Sequence, residues 1–142
     1  ICGGQQMDLE WEGRALSEEE LLQIHLHKTA ALIRAACLMG VAAAGGTPEQ
    51  EEAAAAFADH LGLAFQIRDD ILDVTSTEEE LGKPIGSDAE EHKNTYMALL
   101  GEKKCMELVV RLTEQAKSAL GEAFTDTAFL CELADSMVSR LK

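Results

Sequence analysis

At 142 residues, with 26 acidic side chains against 12 basic ones, the chain carries a formal charge of -14 and a pI near 4.5. A summed field of that sign repels nucleic acid and anionic membrane surfaces as bulk partners and favours solubility. The length suits one domain, residues 1–142, with a real core.

The chain opens on Ile1, with no charged leader and no apolar stretch suited to a signal peptide, so it reads as the C-terminal piece of a longer protein. Cys2, Cys37, Cys105 and Cys131 form no Cys-x-x-Cys and fall mostly in apolar helical patterns, where a free thiol packs as a small hydrophobe. A reducing cytoplasm is the expected setting. The longest uncharged run, Ala35 to Thr47, is too short to span a bilayer and is expected to be a buried helix.

Cys2 to Trp11 has the look of a helix end. Ser17-Glu18-Glu19-Glu20 is a capping box, with Ser17 accepting from first-turn amides and Glu20 reaching back, and it predicts a helix from residue 18 to Ala44, stopped by Gly45-Gly46. Thr47-Pro48-Glu49-Gln50 opens a second helix with proline at its first position, expected to run to about Val74. Thr75 to Asn94 reads as a loop with a short helical turn at Thr77 to Leu81, and it carries Lys83 and Lys93. A short helix over Thr95 to Leu100, then helices over Glu102 to Leu120 and Asp126 to Leu141, complete the pattern. No strand-like alternation occurs, so the fold class is all-α, an antiparallel helical bundle.

The chemistry concentrates at Phe65-Gln66-Ile67-Arg68-Asp69-Asp70-Ile71-Leu72-Asp73. On a helix Asp69 and Asp73 are i and i+4 neighbours and Asp70 lies about 100° round from Asp69, so all three can converge on one charge. Partly buried carboxylates about 5.5 Å apart repel by roughly 3 kcal/mol at an effective dielectric near 20, which a hard divalent cation relieves. Magnesium suits best, because it takes oxygen ligands and is usually shared with substrate phosphates. The bland alternative is a solvated acidic helix end.

Upstream, Asp59, Gly62, Gln66, Asp70 and Asp73 share one face of this helix and form a polar, partly open stripe. Gln66 could aim its carbonyl at a developing cation, although an interhelical hydrogen bond is the simpler role. His25, Lys28 and Thr29 occupy adjoining positions on the preceding helix. His25 and His27 point about 200° apart and cannot share an ion. A lysine turned inward needs an anion, so Lys28 faces either a carboxylate of the same fold or a bound phosphate.

Gly4-Gln5-Gln6-Met7-Asp8-Leu9, His27-Lys28-Thr29, the aspartate-rich segment, Leu81-Gly82-Lys83, and Gly86-Ser87-Asp88 through Lys93-Asn94-Thr95-Tyr96 occur in one order. In that order the chain resembles the C-terminal half of a short-chain trans-polyprenyl diphosphate synthase of the farnesyl or geranylgeranyl diphosphate type. The resemblance implies an isoprenoid-synthase bundle and a homodimer, and a parent that condenses isopentenyl diphosphate head-to-tail with an allylic diphosphate. It implies Mg2+ at Asp69, Asp70 and Asp73, with Asp69 the most direct ligand, diphosphate held by Lys28, Lys83 and Lys93, and an allylic cation faced by Thr29 and Gln66.

The chain lacks the family's first Asp-Asp-x-x-x-x-Asp, the arginine pair after it, and the Gly-Lys-x-Arg segment that binds isopentenyl diphosphate. Half of such a site is absent from this sequence, and the isolated piece is expected to be inactive. Pro84 also stands where the family more usually has a polar or branched residue. A non-catalytic helical partner or regulatory subunit is the competing reading. A carboxylate-bridged di-iron bundle is disfavoured, because no Glu-x-x-His pair occurs.

Overall fold

A computed structural model describes residues 1–75, 94–121 and 123–139. The described residues hold helices and connecting turns, with no strand. They comprise α1 (Cys2–Glu10), α2 (Glu18–His25), a π-helical turn (Leu26–Ala30), α3 (Ala31–Ala43), α4 (Pro48–Thr75), α5 (Tyr96–Leu100), α6 (Glu102–Leu120) and α7 (Ala128–Ser139). The helical turn expected at Thr77 to Leu81, Lys83, Lys93 and the chain's last residues lie outside the described residues.

The capping chemistry acts as expected. The Glu20 amide donates to Ser17 Oγ at 3.2 Å and the Ser17 amide donates to the Glu20 carboxylate at 3.0 Å. Thr47 and Gln50 repeat the exchange at the start of α4. Ser17→Ala should lower the unfolding free energy by about 1 kcal/mol, read from a denaturant midpoint shift at unchanged slope. Gly45 and Gly101 take φ of 67° and 77°, which a side chain rarely adopts, and so end α3 and α5.

α4 is the axis of the bundle, and its apolar residues at helical spacing supply two core clusters. Its first half puts Phe57 and Leu61 against Ala116 and Leu120 late in α6 and Ala134 of α7. Its second half puts Ala64, Ile67 and Ile71 against Cys105, Leu108 and Leu112 early in α6. Early residues of one meet late residues of the other, so α4 and α6 run antiparallel. The same argument applies to α3, because Thr29 meets Gln66 while Arg34 pairs with Asp59.

Two expectations need correction. The helix expected from 18 to 44 is not regular: it widens into a π-turn over Leu26–Ala30. Two helices press on that turn where they lack side chains. A Cβ on Gly4 would stand 2.5 Å from the His27 carbonyl carbon, and one on Gly62 would stand 2.5 Å from Ala30 Cβ. The stretch from Ala35 is also not buried within this chain. Val41 alone in α3 is buried, while Leu32 and Met39 are 60% and 67% exposed. The reason is geometric: α3 packs mainly on α4 and the π-turn, which leaves the side carrying Leu32 and Met39 exposed. Glu18–Ala43 taken as one helix is long and apolar enough to cross a membrane by length and composition alone, a test that core helices also pass.

Candidate diphosphate and cation site

The polar stripe on α4 is closed over by its neighbours. Asp59 pairs with Arg34, Gly62 touches Ala30, and Gln66 accepts a hydrogen bond from Thr29 Oγ1 at 2.7 Å. Gln66 in turn donates from Nε2 to Asp70 Oδ1 at 3.2 Å. Asp70 is 3% exposed and accepts the Tyr96 amide on Oδ2 at 2.9 Å. A continuous hydrogen-bonded line thus runs from the π-turn through α4 to the start of α5. The simpler role for Gln66, an interhelical hydrogen bond, is present, and it leaves the amide oxygen beside the Thr29 hydroxyl.

The three aspartates occupy different surroundings on α4, Asp69 half-buried and Asp70 and Asp73 buried. Among the described residues no three Asp, Glu, His or Cys side chains come together as a ready-made metal site. Asp70 is turned toward the Tyr96 amide and Gln66, because a buried peptide N–H at the start of α5 needs an acceptor. Asp69, half-buried, and Asp73, 2% exposed, remain one helical turn apart. Their oxygen donors are of the kind that suits magnesium, whose remaining positions would go to water and phosphate.

Lys28 has found its anion inside the fold. Its Nζ lies 2.6 Å from Asp8 Oδ2, both side chains being part-buried. Gln5, Asp8, Leu9, Glu12, Lys28 and Asn94 line a small polar cleft of about 80 Å³ there. An ammonium has three donors, so this bond fixes the lysine while leaving two for a ligand. The motif that includes Gln5 and Asp8 is therefore brought to Lys28. Asp8 was not singled out from the sequence, although the need of an inward lysine for an anion was the signal that could have found it.

The histidines separate as their spacing requires. His27 Nδ1 lies 2.8 Å from the Gln23 carbonyl on the exposed side. His25 is buried and stacks on Tyr96 with ring centroids 5.5 Å apart, and neither ring nitrogen has a hydrogen-bond partner. Burial pushes its pKa down to about 4, partly offset by the Asp8 carboxylate, with Lys28 adding to the depression. Burial pushes the Tyr96 phenol up to about 12 and the Cys105 thiol up to about 11. Cys105 is thus an inert core thiol, and all four cysteines are free.

A model of the polyprenyl synthetase family matches residues 1–129. The chain belongs to that family. It is 44% identical over 140 residues to the farnesyl diphosphate synthase of Geobacillus stearothermophilus, covering 94% of this chain and 46% of that protein. A polyprenyl synthase structure from Caulobacter crescentus CB15, complexed with calcium and isoprenyl diphosphate, superposes with a TM-score of 0.82 at 28% identity, over 99% of this chain and 56% of that one. A geranylgeranyl pyrophosphate synthase from Corynebacterium glutamicum, complexed with isoprenyl diphosphate and magnesium, superposes with a TM-score of 0.88 at 25% identity, over 99% of this chain and 52% of the other. The polyprenyl synthetase chain described here thus spans about half the length of the curated relatives it matches, in the all-helical fold of those synthases.

Proposed function

We propose that this chain carries the allylic-diphosphate half of a trans-prenyltransferase site, and that the whole protein condenses isopentenyl diphosphate with an allylic diphosphate. The observation that carries the reading is the hydrogen-bonded line Thr29–Gln66–Asp70, which ties two side-chain oxygen atoms to the aspartate-rich turn of α4, with Thr29 next in sequence to Lys28. Neither a helical spacer nor a regulatory subunit needs that combination.

Asp69 and Asp73 would hold magnesium, which when bound neutralises charge on the departing diphosphate. Lys28, fixed by Asp8, binds phosphate oxygens. Lys83 and Lys93 join it by their place in the resembling motifs. Thr29 Oγ1 and Gln66 Oε1 present lone pairs to the carbon framework as positive charge develops, and fixed dipoles in a water-poor site do this better than solvent. The exposed apolar side of α3, with Leu32 and Met39, supports association with another copy or with the remaining half of a synthase, a homodimer being the commonest closed form. Four free cysteines suit a cytoplasmic setting.

The test is transfer of labelled isopentenyl diphosphate onto an allylic diphosphate in the presence of Mg2+. The 142-residue chain by itself should give no elongated product, since ionisation needs the leaving group's charge neutralised from both sides of the cleft. A complete synthase carrying these residues should give product and lose about a hundredfold or more in rate on Asp69→Ala. Full activity in that variant would remove the assignment.

A further inference from the structure

The direction of every hydrogen bond between Tyr96 and Thr29 is dictated from one end. The Tyr96 amide can only donate, and it donates to Asp70 Oδ2 at 2.9 Å. An ionised carboxylate can only accept, so the Asp70 oxygen that meets Gln66 requires the NH2 end of the amide, at 3.2 Å. The amide oxygen of Gln66 must then face Thr29, which is left to donate its hydroxyl proton at 2.7 Å. With the Gln66 NH2 turned to Asp70 and the Thr29 proton on Oε1, the remaining outward valences of Oε1 and Oγ1 are lone pairs. A ligand group lying against these two atoms therefore meets acceptors, an environment that suits an electron-poor carbon or a cationic nitrogen and repels an anion.

We propose that Asp70 is a positioning residue whose carboxylate sets the polarity of the Gln66–Thr29 pair, rather than a metal ligand. The inference rests on the prenyl-diphosphate reading above and adds a role that the aspartate-rich spacing alone does not suggest. Asp70 is buried between α4 and α5, where its bonds to the Gln66 amide and the Tyr96 amide lie along the line to Thr29. In Asp70→Asn the side-chain oxygen stays on the Tyr96 amide and the new NH2 faces Gln66. Gln66 must flip to accept, its own NH2 then faces Thr29, and the pair shows a donor where it showed lone pairs. The double variant Asp70→Asn/Gln66→Glu moves the carboxylate to position 66. There it accepts from both sides, so oxygen faces Thr29 again at the same net charge.

The experiment compares, with Mg2+ present, the affinities of two probes for the chain and its variants: an allylic diphosphate analogue with an ammonium nitrogen in place of the reacting carbon, and a neutral thio analogue. The wild-type chain should prefer the cationic probe. Asp70→Asn should cut that preference roughly tenfold, about 1.4 kcal/mol of lost discrimination, and the double variant should restore it. Asp59→Asn, which removes the same charge from the same helix face about three turns away, should leave the preference within about twofold, separating polarity from bulk charge. Equal loss of both probes in Asp70→Asn would mark Asp70 as a metal ligand, and an unchanged preference would remove its role altogether; either overturns the proposal. Binding of neither probe by the wild-type chain would instead defeat the prenyl-diphosphate reading. The amide orientation then still stands or falls on NMR: the Gln66 Nε2 protons should show hydrogen-bond coupling to the Asp70 carboxylate carbon, and its absence would refute the polarity.

Discussion

Phe57→Ala should lower the unfolding free energy by about 4 kcal/mol, the largest single effect expected in this chain. Phe57 is 1% exposed and joins three helices, packing with Leu61 of its own helix, Ala116 and Leu120 of α6, and Ala134 of α7. Truncation removes the ring's transfer free energy and enlarges an apolar cavity of about 410 Å³ that the side chain already borders with Val41, Leu120, Phe124 and Leu130. Small residues on the α3 side of that cavity, Ala36 and Gly40, cannot collapse into the gap. The loss should appear as a fall in denaturant midpoint at nearly constant slope. Because Phe57 lies about 18 Å along α4 from Asp69, ligand affinity of the folded fraction should be unchanged. A loss below about 1 kcal/mol would mean that the two core clusters are not cooperatively joined.

His25 should make stability depend on pH in a range where few other groups titrate. Its folded pKa of about 4 lies below the ordinary value of 6.5, so the unfolded chain binds the proton more readily. The stabilisation is therefore fully present above about pH 6.5 and is withdrawn as pH falls toward 4, with a total near 3 kcal/mol. Glu20, whose pKa is lowered chiefly by its hydrogen bond to the Ser17 backbone, loses its contribution as pH falls further through the carboxylate range. His25→Phe keeps a ring against Tyr96 and removes two unpartnered nitrogens. Subtracting its profile from the wild-type profile should isolate the His25 contribution. Parallel profiles for the two proteins between pH 4 and 7 would show that the ring is not buried as described.

Much of the architecture could be read from the sequence because local chemistry dictated it. Ser17 and Glu20 fix the start of α2, Thr47 and Gln50 fix the start of α4, and Gly45 and Gly101 fix two helix ends through their positive φ. The π-turn was not legible, because it arises from contact rather than propensity: Gly4 and Gly62 allow α1 and α4 to approach the backbone around Lys28 and Ala30. The exposure of α3 was missed for a related reason. An Ala-rich, uncharged run signals an apolar environment without saying whether this chain supplies it.

At the site, the sequence identified Lys28, Thr29, Gln66 and the aspartates as one neighbourhood, but spacing along a helix could not divide the aspartates by role. What the structure adds is α5, whose first amide at Tyr96 donates to Asp70 across 26 residues of sequence. The Asp8 partner of Lys28 is likewise a long-range pairing, 20 residues distant in the chain. Lys83 and Lys93, the other two lysines expected to hold diphosphate, lie outside the described residues.

Calorimetric titration of the purified chain with Mg2+, with inorganic diphosphate, and with both together is the most direct measurement. Two carboxylates supply only part of the coordination that Mg2+ needs, and phosphate oxygens supply more of it, while Lys28 gains most from a phosphate that arrives with metal. Magnesium alone should therefore bind weakly, diphosphate alone weakly, and the two together cooperatively, with Asp69→Ala weakening the ternary complex more than Asp73→Ala. Tight magnesium binding that diphosphate leaves unchanged, or diphosphate binding indifferent to magnesium, would contradict the assignment of this site.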